Sequence, residues 1–201
     1  MLPAPPLPLS RIVVHGACLF PFLYLFYRGW NNDLGANPIE YITRFTGDWT
    51  LRMLLIVLSF RPWVHLTNMR WLLRHRRAVG LYSFFYASCH FTTYIWLDQF
   101  FDWQSIVADI LDRPFIFAGF TAFVLLVPLA ITSNDRAVRY LQHRWLLLHR
   151  LVYVIAIAGL VHYWWLIRAD YLKAWIYLSI LTLLLGYRIT RYLRQSRQYR
   201  L

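Results

Sequence analysis

Six long apolar segments alternate with polar connections along the chain. Most of them approach or reach the roughly 20 residues that a helix needs to cross a bilayer, although the second is short. The pattern therefore predicts an all-α membrane protein built as a six-transmembrane-helix bundle. No internal repeat or low-complexity linker divides the chain, which indicates a single domain over residues 1–201. The predicted helices cover 12–27, 49–60, 78–97, 114–132, 144–168 and 171–187.

The connections differ in character. Residues 30–48 contain Asn, Gly and Pro in close succession, which is typical of a loop, and Arg61-Pro62 marks the predicted end of the second helix. The connection 98–113 is acidic and predicts a short amphipathic helix. Pro21 predicts a kink in the first helix, since proline removes a backbone hydrogen bond.

Charge sorting predicts the orientation of the bundle. Fifteen of the 21 basic residues lie near the N-terminus, in the second-to-third and fourth-to-fifth connections, or in the tail 188–201. Eight of the nine acids lie in the other three connections. Because basic connections stay inside, both termini and the basic tail are predicted to be cytoplasmic. The net charge of +12 is distributed by connection and forms no single patch, which argues against a nucleic-acid partner.

Composition supports a membrane protein and excludes several kinds of site. Hydrophobic residues make up 59% of the chain and charged residues 15%, whereas soluble domains are about 25% charged. The two cysteines form no CxxC motif, so neither a zinc site nor a disulfide is indicated. No glycine-rich nucleotide motif is present, so the chain is not expected to oxidise NAD(P)H unaided.

Three histidines fall inside the apolar segments. Ionisable residues there are costly and indicate function. His90 lies 13 residues after Arg77, and His162 lies 12 residues after Arg150. At 1.5 Å per residue both counts give roughly 18–20 Å, and the two helices are predicted to run parallel. The imidazoles should therefore meet at one depth, as in a bis-histidine haem site. Two alternatives remain, a pair of hydrogen-bonded structural histidines and a proton relay in a transporter.

A second position is indicated at the inner end. His149 lies 13 residues before His162, which places the two rings roughly 20 Å apart along the axis but about 140° apart around an ideal helix. The candidate partner for His149 is His75, although a solvated interfacial position suits His75 equally well. Arg76 and Arg77 could pair with haem propionates at the inner end, as Arg168 could at the outer end. All three arginines could equally be membrane anchors.

The histidine pattern resembles the ferric-reductase-like transmembrane superfamily, which includes the NADPH oxidases. The stretches LGANPIEYITRFTG and TLRMLLIVLSFRP are more similar to MsrQ, a family of haem-binding membrane subunits of the periplasmic methionine sulfoxide reductase system. The resemblance covers nearly the whole chain. It implies one or two haem b groups ligated by His90, His149 and His162, and FMN has also been attributed to the family. Where the oxidases have a further histidine, this chain has Arg76.

The resemblance also implies partners and a location. Electrons would come from the quinone pool or a cytosolic flavin reductase and leave to a periplasmic MsrP-type molybdoenzyme. The chain would reside in the lipid bilayer of a bacterial inner membrane. The segment 30–48 is predicted to contribute to the exit surface, or else to cap the bundle. A ferric-chelate reductase or another b-type cytochrome is the redox alternative, and a proton-coupled transporter is the alternative from a different class.

Overall fold

The computed structural model describes residues 7–167 and 171–198, and these residues form helices joined by short connections. Two non-α segments interrupt the chain, a 3-10 helix at Arg70–His75 and a π-helix at Tyr94–Asp98. The α-helices are α1 (Leu7–Trp30), α2 (Pro38–Thr67), α3 (Arg76–Thr93), α4 (Trp103–Asp112), α5 (Pro114–Ile131), α6 (Asp135–Leu141), α7 (His143–His149), α8 (Leu151–Leu166) and α9 (Leu172–Gln198).

Four stretches of the described chain are long and apolar enough to cross a membrane. They lie in α1, in α5, across α7 and α8, and in α9. This agrees with the predicted all-α membrane class. The predicted spans in α2 and α3 are more polar, and α2 carries two ion pairs between its own residues, Glu40–Arg44 and Asp48–Arg52. The count of six spans and the cytoplasmic termini stay predictions.

The second helix is much longer than predicted, so the loop assignment for 30–48 is wrong over most of its length. Asn37 caps α2 by accepting a hydrogen bond from the backbone N–H of Glu40, and Pro38 occupies the first turn, where proline is tolerated. At the other end α2 continues through Pro62 to Thr67. Proline lacks the N–H that would bond to the carbonyl of Leu58, four residues earlier, and Arg188 of α9 donates to that carbonyl instead, at 3.0 Å.

The predicted helix at 144–168 is divided in two. α7 ends at His149 and α8 begins at Leu151, and the bond from Tyr153 N–H to the Arg150 carbonyl spans three residues instead of four. The segment between His149 and His162 is therefore not one ideal helix, which is the condition for the count of about 140°. The last helix runs past residue 187 to Gln198, whereas Arg168 and the tail residues 199–201 lie outside the described residues.

Two helix pairs form the centre of the bundle, α2 with α3 and α5 with α8. They bury Leu58, Ile155 and Ala156 almost completely. α1 packs on α3 through Tyr86, whose hydroxyl donates to the Cys18 carbonyl at 2.8 Å and accepts from the Phe22 N–H at 3.1 Å. The hydroxyl thus bridges the turn that contains Pro21, where the kink is predicted.

The acidic connection contains the short helix that its pattern predicts. α4 begins after Asp102, whose carboxylate accepts hydrogen bonds from the backbone N–H groups of Gln104 and Ser105. A third hydrogen bond, from the Ser105 hydroxyl, contributes most to lowering the pKa of Asp102, and the two backbone bonds lower it further. The next helix, α5, starts at Pro114, as predicted.

Candidate functional site

The imidazoles of His90 and His162 lie side by side between α3 and α8. Their ring centroids are 6.0 Å apart, and the ring planes cross at 76°. The count of helical rise from Arg77 and Arg150 predicts that these two rings lie at the same depth. Both residues lie near the C-terminal ends of their helices, so the pair occupies one end of the bundle and not its middle.

Each imidazole is held by a backbone carbonyl of a neighbouring helix. Nδ1 of His90 is 2.8 Å from the carbonyl oxygen of Thr43 in α2, and Nδ1 of His162 is 2.6 Å from that of Phe115 in α5. A carbonyl can only accept, so Nδ1 must be the protonated nitrogen in both rings. Nε2 then keeps its lone pair. Metal-binding histidines usually have this arrangement, in which the outer hydrogen bond fixes the tautomer and orients the ring.

A glycine lies directly behind each ring. A Cβ on Gly47 would come within 3.1 Å of the His90 ring, and a Cβ on Gly119 within 2.7 Å of Nδ1 of His162. A methyl group on Gly119 would overlap the imidazole of His162, and one on Gly47 would press closely on that of His90. Sequence reasoning missed both residues. For Gly119 the only available signal was a glycine inside an apolar helix, which weakens the helix and so needs a packing reason. Gly47 gave no such signal, because it lies in the stretch predicted as a loop.

The two halves of the site repeat each other in sequence spacing. In both, 47 residues separate the carbonyl from the histidine. Every element of the second half lies 72 residues after its counterpart: Thr43 and Phe115, Gly47 and Gly119, His90 and His162. The hairpin α2–α3 is therefore matched by α5 and α8. Few identities accompany this spacing, and the prediction that the chain has no internal repeat stays a prediction.

His149 lies at the opposite end of α7–α8 from His162. Its ring stacks on Trp145 with centroids 3.9 Å apart, and Nε2 is 3.0 Å from the hydroxyl oxygen of Thr132 in α5. Arg76 and Arg77 are its charged neighbours from α3. The repeat is broken here, because the residue 72 positions before His149 is Arg77 and not a histidine.

The structure places His75 elsewhere. It is buried, with 4% of its surface exposed, and its ring meets Trp71 edge-on. Its charged neighbours are Arg11, His15 and Arg74, and not His149. Burial, reinforced by these neighbours, lowers the pKa of His75. The solvated interfacial position is therefore wrong, and the structure does not bring His75 and His149 together.

The arginines and the predicted exit segment occupy distinct places. Arg77 forms an ion pair with Asp135 at 2.8 Å, whereas Arg76 is half-buried. Of the segment 30–48, only 31–37 stays outside helices, because α2 takes up the rest. Asn32, Asp33 and Glu40 are nevertheless exposed, as a docking surface requires.

Comparison with known proteins identifies the family. Residues 46–160, more than half of the chain, match the family model of the ferric reductase like transmembrane component. The chain is 48% identical to the protein-methionine-sulfoxide reductase heme-binding subunit MsrQ of Herminiimonas arsenicoxydans, over 93% of this chain and 88% of the relative. It is 47% identical to the MsrQ of Rhodospirillum rubrum, over 96% and 93%. No solved structure gives a significant match. The family match and the 47–48% identity over nearly the whole chain show that the chain belongs to the MsrQ family, within the ferric reductase-like transmembrane proteins.

Proposed function

We propose that this chain is a transmembrane haem b electron-transfer subunit that supplies a periplasmic methionine sulfoxide reductase. The observation that carries the proposal is the pair His90 and His162, each with its Nδ1 hydrogen turned to a helix carbonyl. The relatives named as heme-binding subunits support it. The pair is assigned to the outer, periplasmic half of a six-span bundle in the bacterial inner membrane.

The histidine pair fits a haem iron. Metal–imidazole nitrogen bonds are about 2.0 Å long, so two imidazoles on opposite sides of one ion have centroids roughly 6 Å apart. The separation in this protein is 6.0 Å. Haem supplies one-electron chemistry when it is bound. The chain itself holds two neutral imidazoles away from water. The carbonyls of Thr43 and Phe115 each fix the orientation of one ring.

The inner end is the proposed entry side for electrons. His149 is the ligand proposed for a second haem, with Arg76 and Arg77 as neighbours for its propionates. Because the structure does not bring His75 and His149 together, the second ligand of this haem must be a group other than the His75 ring. FMN also stays a prediction, to be checked by extraction and fluorescence of bound flavin. The proposed donors are the quinone pool or a cytosolic flavin reductase, which would approach the basic connections.

The proposed exit is the face around the histidine pair. It includes the connection 31–37, which joins α1 to α2, and it includes α4, which lies between α3 and α5. The proposed acceptor is an MsrP-type molybdoenzyme.

Haem quantification and electron transfer test this function. A pyridine haemochrome assay on purified protein should give at least one haem b per chain, whereas a proton-coupled transporter would contain no stoichiometric haem. In membranes, the reduced protein should pass electrons to MsrP faster than to ferric chelates. His90→Ala and His162→Ala should each remove the same spectral component. Two components, one lost with each variant, would reject the shared haem.

A further inference from the structure

The carboxylate of Asp109 in α4 accepts hydrogen bonds from three side chains. Oδ2 lies 3.1 Å from the Tyr94 hydroxyl and 3.2 Å from Nε2 of Gln99, and Oδ1 lies 3.1 Å from Nε of Arg113. Only 14% of the Asp109 side chain is exposed, the smallest fraction for any acid that forms an ion pair in the described residues. Hydrogen bonds to an ionised group are the strong ones, so this carboxylate holds the segments around it together.

Two of the three donors are directly connected to the histidine pair. The backbone N–H of Tyr94 bonds to the carbonyl of His90, so Tyr94 belongs to the last turn of that helix. Arg113 is the residue before α5 and lies two positions before Phe115, whose carbonyl holds Nδ1 of His162. The carboxylate therefore ties the end of α3, which carries one histidine, to the start of α5, which orients the other.

The connection between α3 and α4 is not regular helix. A π-helix occupies Tyr94–Asp98, and Phe100 and Phe101 after it have φ angles of 48° and 62°. Bulky side chains rarely adopt positive φ, and each such position costs about 1–3 kcal/mol that surrounding contacts must offset. Gln99, which lies between the π-helix and these two residues, donates to the carboxylate of Asp109. The same carboxylate thus also holds the strained connection beside the site.

We propose that Asp109 is a positioning residue for the histidine pair. By fixing the end of α3 against the start of α5, it sets the angle at which the two imidazoles face each other. This role rests on the haem proposed above, because the two rings then share one iron. Their planes cross at 76°. In a ferric haem the angle between two axial imidazole planes determines the low-spin EPR spectrum, and a nearly perpendicular pair gives a strongly anisotropic signal.

Asp109→Asn removes the tie with little change of shape. The amide oxygen can still accept from Tyr94 or Gln99, but the side chain has no charge to pair with Arg113. The link to α5 is therefore lost, while part of the link to α3 stays. Asp112→Asn is the matched control, because it removes the same charge from an exposed acid of the same helix that forms no ion pair among the described residues.

The measurements are the EPR spectrum of the ferric protein in detergent, the rate of haem transfer to apomyoglobin, and thermal unfolding. Wild type and Asp112→Asn should share one strongly anisotropic low-spin signal. Asp109→Asn should show a shifted or split signal. It should also lose haem faster by up to about 10-fold, the lower end of the effect of removing a ligand's own hydrogen-bond partner.

Tyr94→Phe is a milder second variant, because it removes only the hydroxyl that links Asp109 to α3. It should shift the EPR signal by less than Asp109→Asn, and adding it to Asp109→Asn should change the signal little further. If Asp109→Asn does not fold, Tyr94→Phe alone decides, and a wild-type signal in Tyr94→Phe then rejects the positioning role.

Two further results would overturn this role. One is an Asp109→Asn variant that unfolds at a lower temperature but keeps the wild-type EPR signal and haem-transfer rate, because the carboxylate would then only stabilise the fold. The other is an Asp112→Asn variant that changes as much as Asp109→Asn, which would assign the effect to lost negative charge. A wild-type protein without haem would reject the proposed function as well, whereas unchanged variants of a haem-containing protein reject the positioning role alone.

Discussion

Gly119→Ala tests whether the backbone behind His162 holds that ring in place. A Cβ there would lie 2.7 Å from Nδ1, 2.8 Å from Cε1 and 3.0 Å from Cγ of His162. To reach an ordinary contact of 3.4 Å, the ring must retreat by about 0.7 Å. That movement stretches the 2.6 Å bond between Nδ1 and the Phe115 carbonyl.

The expected cost has two parts. Overpacking costs about 1–3 kcal/mol, and a weakened bond to a buried N–H costs up to about 1–3 kcal/mol more. The intrinsic gain from replacing glycine by alanine in a helix, about 1 kcal/mol, offsets part of this. Losing the outer hydrogen bond of a metal-ligating histidine lowers metal affinity by about 10–100-fold. Gly119→Ala should therefore lose most of its haem.

Two further glycines supply a graded comparison. Gly47→Ala should show a smaller loss, because its Cβ would be 3.1 Å from the nearest His90 atoms. Gly159→Ala is the control, since it lies on α8 with His162 but has no atom within 4 Å of its added Cβ. The assay is haem per protein, with the Soret spectrum and midpoint potential of the haem that remains. Equal haem content in Gly119→Ala and Gly159→Ala would refute the reasoning, as would a larger loss in Gly47→Ala than in Gly119→Ala.

Three other predictions follow from particular contacts. Tyr86→Phe should lower the free energy of unfolding by about 1–3 kcal/mol, since it removes two hydrogen bonds between α3 and α1 that contribute about 0.5–1.5 kcal/mol each; thermal unfolding measures this against exposed Tyr27→Phe, and equal stability would contradict it. His149→Ala should leave the spectral component of the outer pair intact while removing any second haem, as a low-temperature spectrum would show. Asp33→Asn in the exposed connection should keep the haem spectrum but slow electron transfer to MsrP in a reconstituted assay, whereas unchanged transfer would remove the connection 31–37 from the proposed docking face and leave α4.

The His149 ring is held in place at the break between α7 and α8. His149 ends α7, and its ring is held between Trp145 and the Thr132 hydroxyl. Trp145 in turn donates from Nε1 to the Thr132 carbonyl at 2.9 Å. This arrangement fixes the His149 ring on the side of α5.

The sequence by itself determined the class of protein and the meeting of His90 with His162. Both depend on local regularities: the length of apolar runs, and a constant rise per residue counted from basic boundaries along parallel helices. The same reasoning predicted α4 and the start of α5, because turn residues and proline restrict the backbone only within a few residues of their own position.

Only the tertiary structure decided how the site is held. The start of α2 at Pro38 was predictable in principle, because Asn37 and Pro38 form a helix-start pattern. Its acids also precede its arginines by four residues, the spacing of helical ion pairs, but the Asn, Gly and Pro before them favoured a loop. The sequence could not assign Thr43 and Phe115 as carbonyl partners, or Leu58 as the acceptor for Arg188, since these contacts join residues 47 and 130 positions apart. Such contacts depend on the rotation and register of packed helices. Every backbone has a carbonyl at every residue, so the sequence does not mark which one faces an imidazole.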